Sequence, residues 1–219
     1  MKEAMGILRK ATNSFLCCPP EVLGIILEAS KLSHAAEDSY MTDYAEIVDA
    51  AAELLYRAHG VDTLSWALEA QDTPVPTDGN GPILGNASRF RTGSAHRLAA
   101  CLYILQAVPA LQDVVEEELI EVITNDLHHY LGSILPPDPN FKATTWPTFV
   151  FGATAQSPDT REWVIERLKR VIVVYPWGFV NTAMEGLRLI WQHKDIGGGD
   201  SSSSWLRILR DGQHDFLMV

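Results

Sequence analysis

The chain has 219 residues, of which 17 are basic and 28 acidic, so that its formal net charge is −11 at pH 7. Binding to nucleic acid depends largely on lysine and arginine neutralising phosphates, so this charge argues against direct DNA binding by the chain. Three cysteines are too few for a disulfide framework, and no apolar run reaches the ~18 residues of a membrane span, which favours a reducing, intracellular compartment and no membrane contact.

The N-terminal part of the chain is predicted to form helices separated by prolines. Residues 2–16 are a candidate first helix. Pro20 is well placed to begin a second helix that runs to about Ala35, because a proline in the first turn loses no helical hydrogen bond. Its apolar positions hold helical spacing and comprise Val22, Leu23, Ile26 and Leu27.

Two more helices are expected before residue 72. Asp43 and Glu46 resemble an acidic capping box for a helix through Arg57, which Gly60 would end. A shorter helix is predicted over 61–71.

Two segments are expected to be flexible loops. Residues 72–93 are rich in proline, glycine and asparagine and would form a loop far longer than usual, and residues 197–204 are of low complexity. Between them we predict helices over 94–107 and 109–131, the second with an acidic outer face. An extended, rigid linker is predicted over 134–139.

Three amphipathic helices are predicted over 146–156, 159–175 and 178–194. Thr144 or Thr145 would cap the first, with Pro147 in its opening turn, and Ser157 would cap the second. Apolar stripes run along the other two and comprise Val164, Leu168, Val171, Ile172 and Tyr175, then Val180, Ala183, Leu187, Ile190 and Trp191. Since no strand signal survives, the class is all-α, an irregular bundle of about eight to ten helices in a single domain over 1–219.

These segments resemble a known family. A tryptophan-proline-aromatic helix, an Arg-Glu-Trp-Val helix over 161–164 and a helix ending in Ile-Trp at 190–191 are similar to the C-terminal half of the fungal-specific transcription factor domain. The segments 18–23, 96–100 and 205–212 extend this resemblance over most of the chain. It implies the regulatory region of a zinc-cluster transcription regulator, located in the nucleus or cytoplasm.

The resemblance also implies what the chain lacks. The six-cysteine zinc cluster of these regulators is absent, so the DNA-binding part would be missing, and the chain begins where the family's domain is usually half finished. An apolar helical face would then be left uncovered, and we expect a homo-oligomer. Transcriptional machinery or a small-molecule effector are further expected partners. The chain could equally be a fragment of a longer regulator.

Candidate reactive residues are few. His128 and His129 are adjacent, so they point about 100° apart on a helix and cannot chelate one metal ion together. The pairs Asp126–His129 and His34–Glu37 have i, i+3 spacing, but surface hydrogen bonding explains them better than metal binding.

Cysteines and basic clusters are expected to be structural. Cys17 precedes a helix whose dipole could lower a thiol pKa, whereas the family resemblance implies that Cys18 is structural. The basic residues form two small groups, which we interpret as solvated faces, and comprise Arg89 with Arg91 and Arg167 with Lys169 and Arg170. We predict no catalytic, cofactor-binding or metal-binding residues and no cofactor.

Two classes of function compete. The favoured one is a regulatory, interaction-type domain. The alternative is a helical enzyme of fungal secondary metabolism that isomerises or cyclises a small molecule. Its candidate residues would be His96, Arg89, Arg91, His128 and His129. A pocket of several hundred Å³ with one of these histidines at its wall would favour the enzyme, and a flat, symmetric apolar patch would favour the regulatory domain.

Overall fold

The structure is a computed structural model that describes residues 17–38, 44–69, 81–196 and 204–211, without the side chains of 37, 38, 81–84 and 211. These ranges contain nine α-helices and no strand, which confirms the all-α prediction. The helices are α1 (Pro20–Asp38), α2 (Tyr44–His59), α3 (Thr63–Leu68), α4 (Gly81–Ala107), α5 (Glu117–Ser133), α6 (Thr145–Thr154), α7 (Pro158–Val174), α8 (Gly178–Ile196) and α9 (Trp205–Asp211). The predicted helix over 2–16, the Asp43 cap, the loop over 72–80 and the segment 197–203 lie outside the described residues.

Helices α1, α2 and α3 each pack against α4, and α1 also packs against α2. In α1 the buried positions are Val22, Ile25 and Ala29, so the predicted stripe is rotated by about one residue and Leu27 is exposed. Gly60 follows the last residue of α2, as predicted. In α3 the carboxylate of Asp62 accepts from the backbone N–H groups of the first turn and thereby caps the helix.

Helix α4 is the centre of the packing, because it contacts all the other described helices except α7 and α8 through several residues. Its middle section is buried nearly all round, which is typical of a helix enclosed by others. Small side chains there allow close approach, and they include Ala95, Ala99, Ala100 and Cys101. At Gly93 an added Cβ would lie 2.6 Å from the Trp66 ring, so glycine is required where α3 crosses α4.

The prediction of a loop over 72–93 is wrong from residue 81 onward, since α4 begins at Gly81 and not near Ser94. Pro82 lies in the first turn, where proline is tolerated. Glycine, asparagine and serine are poor helix formers, yet packing against α3 and α5 stabilises the segment, and the hydroxyls of Thr63 and Ser94 hydrogen bond at 2.9 Å. Here tertiary contacts outweigh intrinsic propensity.

The predicted helix over 109–131 is divided into a 3₁₀ turn, Pro109–Asp113, and α5. The break allows both Leu111 and Val115 to enter the core. The predicted extended linker over 134–139 is instead a turn, because the Asp138 side chain accepts from the Asn140 backbone N–H at 2.8 Å. A second 3₁₀ turn, Phe141–Thr144, follows it.

The helices predicted over 146–156, 159–175 and 178–194 are confirmed as α6, α7 and α8, and α7 and α8 bury the apolar faces predicted for them. Ser157 caps α7 by accepting from the Thr160 backbone N–H. Thr144 occupies the capping position of α6, but its side chain makes no cap hydrogen bond and donates to the Phe141 carbonyl instead. Residue Ser204, which was expected in a mobile segment, is buried and donates to the Gln106 carbonyl at 2.6 Å.

Helix α6 is almost fully buried between α4, α7 and α8. Gly152 lies at the closest approach, where an added Cβ would be 2.7 Å from Val164 Cγ1 and 3.1 Å from Leu187 Cδ2. This close contact fixes the distances between α6, α7 and α8, because neither neighbouring side chain can move freely in a packed core.

We predict that Gly152→Ala lowers the free energy of unfolding by about 1–3 kcal/mol, since the added methyl group overpacks the junction of three helices. Chemical denaturation followed by circular dichroism measures this change. Gly132→Ala is the matched control, because no atom lies within 4 Å of its added Cβ. This control should be neutral or stabilising by less than about 1 kcal/mol. Equal effects of the two substitutions would contradict the prediction.

Candidate functional site

Arg167, predicted to be on a solvated face, is instead buried at 7% exposure. Its guanidinium group donates to three neutral oxygen atoms on three segments. These are the Thr148 hydroxyl at 3.2 Å, the Ile134 carbonyl at 3.2 Å and the Thr144 hydroxyl at 3.0 Å. The planar donor fork of arginine suits such a divided set of acceptors. Arg167 thus joins α7 to α6, to the 3₁₀ turn Phe141–Thr144 and to the residue that directly follows α5.

The surroundings of Arg167 are aromatic. Its guanidinium carbon lies 4.7 Å from the centre of the Phe141 ring and 5.6 Å from that of Trp163. Burial, together with the positive charge of Arg170, lowers the pKa of Arg167 to about 10, while Asp138 acts in the opposite direction. The group therefore stays a cation at neutral pH.

A cleft opens beside the aromatic residues that surround Arg167. Its volume is about 630 Å³, which is within the range of small-molecule sites. Five helices and the 3₁₀ turn Pro109–Asp113 contribute to its wall: the C-terminal half of α4, the outer turns of α5, the ends of α6 and α8, and the first turn of α7. The apolar part is formed by Leu102, Leu105, Ile120, Phe151 and Ala155. Polar residues surround it and comprise Gln106, Gln112, Thr124, Asn125, His128, Thr154, Gln156, Ser157, Thr160, Arg161, Lys194 and Asp195.

Backbone carbonyl groups at the C-terminal end of α6 lie next to the cleft and need donors from elsewhere. Helix α8 supplies two of these donors: Trp191 Nε1 donates to the Gly152 carbonyl at 2.8 Å, and Lys194 Nζ donates to the Ala153 carbonyl at 2.8 Å. The cleft is consequently bordered by a helix terminus that side chains of α8 hold in place.

Charged groups occur at one end of the cleft. Arg161 binds Asp195 through two parallel hydrogen bonds of 2.8 and 2.9 Å, a geometry that orients both side chains. Burial is the main factor that lowers the pKa of Lys194, and the nearby positive charge of Arg161 lowers it further. The Arg161 hydrogen bonds lower the pKa of Asp195.

His128 is the only one of the histidines considered from the sequence that lines the cleft, among the residues described. Its ring stacks on Phe151 with 5.1 Å between centres and meets the edge of Trp163 at 4.6 Å. Burial, with the charge of Arg167, lowers its pKa, so the imidazole is neutral at physiological pH. His128 and its neighbour His129 are both exposed residues of α5, so the burial of the His128 ring is partial.

The other candidates from the sequence lie away from the cleft. His96 is buried, stacks on Trp146 and bonds to the Ala143 carbonyl through Nε2 at 2.9 Å. Arg89 is buried over the Trp66 ring, 3.8 Å from its centre, so the prediction of a solvated face is wrong for it. Arg91 is exposed.

Cys17 and Cys18 are buried, and burial raises the pKa of Cys17 to about 11, the reverse of the effect expected from the helix dipole. Within the described ranges, no three histidine, cysteine or carboxylate side chains are grouped as a metal site would require. His34 and Asp126 are exposed. The expectation that the chain has no catalytic or cofactor-binding residues stays a prediction.

Fold and cleft together define an all-α domain with a cleft large enough for a small molecule. The chain belongs to the fungal-specific transcription factor domain family, whose model matches residues 7–219. This membership supports a transcription-factor-like regulatory role. No helix in the described part of the chain has both the length and the apolar character to cross a membrane.

The chain is also similar to the acriflavine sensitivity control protein acr-2 of Neurospora crassa, with 36% identity over 216 residues. The matched region covers 94% of this chain and 35% of the relative, so the chain spans about a third of that protein's length. No solved structure gives a significant match.

We predict that Arg167→Ala lowers the free energy of unfolding by about 3 kcal/mol or more, because three acceptors in the interior lose their donor. Arg167→Lys should have an intermediate effect, since an ammonium group keeps the charge but cannot reproduce the planar fork. Arg170→Ala on the exposed side of the same helix is the control, expected within about 0.5 kcal/mol of wild type. Urea unfolding measures all three, and an Arg167→Ala variant as stable as Arg170→Ala would contradict the assignment.

Proposed function

We propose that this chain is a regulatory domain of a fungal transcription regulator and that its cleft binds a small-molecule effector. The single observation that carries the proposal is the cleft of about 630 Å³, which lies where five helices meet. A ligand there would contact both the ends of α6, α7 and α8 and the middle of the molecule. Its binding energy can therefore favour one relative arrangement of these helices over another.

The enzyme alternative has one observation in its favour, since His128 lies at the wall of a pocket of the size specified above. However, the ring is packed against Phe151 and Trp163, and among the described residues no hydroxyl or thiol is hydrogen bonded to it as a nucleophile would be to its base. The family is one of transcription factors. We therefore favour effector binding, with the nucleus as the proposed location.

Direct binding to DNA is not part of the proposed function. The net charge of −11 opposes approach to a phosphate backbone, and the described basic residues that the sequence grouped together are divided between buried and exposed positions. A regulatory effect would reach DNA through a linked or associated DNA-binding module.

We further propose that the chain self-associates through the corner between α7 and α8. Val173 is 85% exposed and Val174 47% exposed there. Next to them the rings of Tyr175, Trp177 and Phe179 form a continuous stack, with centres 4.9 and 5.6 Å apart. The three aromatic residues are partly buried, and together with the two exposed valines they form an apolar patch of the kind that is typical of a protein interface. A second copy of the chain is the expected occupant.

We predict that the chain, fused to a heterologous DNA-binding domain, changes reporter output by about fivefold or more between growth conditions that alter the effector level. Thr124→Phe, which narrows the cleft, should abolish this response while the fusion protein is still produced at the wild-type level. Val122→Phe, the same type of change at an exposed position of α5 that does not line the cleft, is the matched control. The chain without the fused domain should leave the reporter unchanged. A fusion that never responds, or one whose response is unaffected by Thr124→Phe, would contradict the proposal.

We predict that sedimentation velocity shows a concentration-dependent dimer and that Val173→Glu weakens its association by about tenfold or more, because a carboxylate would be buried without a partner. Val122→Glu is the control, since Val122 is 50% exposed on α5. A strict monomer at every concentration, or equal effects of both substitutions, would refute the proposed interface.

A further inference from the structure

The charges that line the cleft differ from those of the whole chain. Arg161 and Lys194 provide two positive charges, and Asp195 provides the only carboxylate of the lining. With His128 neutral, the lining has one net positive charge, although the chain as a whole carries −11. An anion would therefore find this cleft more favourable than the rest of the acidic surface.

The two charged partners in the pair lie at different depths. The side chain of Arg161 is 16% exposed, whereas that of Asp195 is 61% exposed, so the carboxylate lies on the solvent side. Because both terminal nitrogen atoms of Arg161 are bound to Asp195, this pair is close to neutral as a unit. The remaining cation of the cleft is Lys194.

Lys194 has donor capacity that the protein uses only in part. Its ammonium group has three donors, and one of them binds the Ala153 carbonyl. None of the described carboxylates is within salt-bridge distance of it, and the group is partly shielded from water. Burial together with Arg161 lowers its pKa, which means that the cation lacks full compensation for its desolvation. An anionic ligand bound to Lys194 would supply the missing compensation.

The apolar residues of the cleft wall indicate the chemistry of the rest of the ligand. The larger apolar side chains of this wall are Leu102, Leu105, Ile120 and Phe151, and Ile120 is the one of these four that is only partly buried. Because the Arg161–Asp195 pair is close to neutral, Lys194 is the one cation that the lining offers to a ligand, which favours a single negative charge over phosphates and dicarboxylates. We propose that the ligand is a small monocarboxylic acid with an apolar body, its carboxylate on Lys194 Nζ and its body against this apolar wall, in which Ile120 is the most exposed residue.

This inference rests on the proposed function, because it assumes that the cleft binds a small molecule at all. Three probes of equal length separate the charge from the apolar contribution: octanoate, octanamide and octylamine. Isothermal titration calorimetry should show that octanoate binds about tenfold more tightly than octanamide and that octylamine binds most weakly. The tenfold difference corresponds to about 1.4 kcal/mol, which is the contribution expected from one partly buried ion pair.

Variants of the full chain locate the binding. Lys194→Met should remove the preference for octanoate over octanamide, while Lys169→Met, an exposed lysine on α7, should leave it unchanged. Thr124→Phe should weaken octanoate and octanamide alike, because both need the same space. Thermal unfolding of Lys194→Met checks that loss of the bond to α6 has not unfolded the protein, and the selectivity of the wild-type chain is an independent measurement.

The outcomes distinguish this inference from the proposed function. If octanoate and octanamide bind equally and Thr124→Phe weakens both, the cleft binds small molecules but the carboxylate inference is wrong. If octanoate is preferred equally by wild type and a folded Lys194→Met, the anion binds elsewhere and the inference is again wrong. If no probe binds, the inference fails, and the reporter experiment decides the proposed function by itself.

Discussion

The buried guanidinium group of Arg167 is the constraint on which the C-terminal half of the structure depends. It has no carboxylate partner at hydrogen-bond distance among the described residues, and neutral oxygen atoms from three segments satisfy it instead. Since a buried charge without such acceptors costs several kcal/mol, the three segments must stay together for the domain to fold. The aromatic rings of Phe141 and Trp163 complete its surroundings, and Trp163 also packs against His128 and Phe151 in the wall of the cleft.

The cleft follows from the way that short helices must end. Helix α6 has ten residues, so its terminal carbonyl groups lie inside the molecule, and helix α8 provides donors for them. The ends of helices cannot pack as closely as their middle sections, because turns and polar capping groups occupy more room than an apolar stripe. A space lined by both polar and apolar groups results.

Much of the fold could be predicted from the sequence because its signals are local. Proline and serine positions gave the start of α7, glycine gave the end of α2, and apolar spacing gave the buried faces of α7 and α8. These features depend on interactions within about one helical turn, which neighbouring residues decide. The family was also recognisable, since the order of its short motifs is carried by the chain itself.

Other features were decided only by the tertiary structure. Arg167 and the exposed Arg170 are three residues apart on one helix, and nothing in their spacing shows that Arg167 meets three acceptors 19 to 33 residues away. The start of α4 at Gly81 and the placing of His128, Lys194 and Phe151 around one cleft likewise require helices that are distant in sequence. The sequence determines which residues can form helices and which faces are apolar. Packing decides which polar groups become buried, because that depends on partners that only the folded chain brings together.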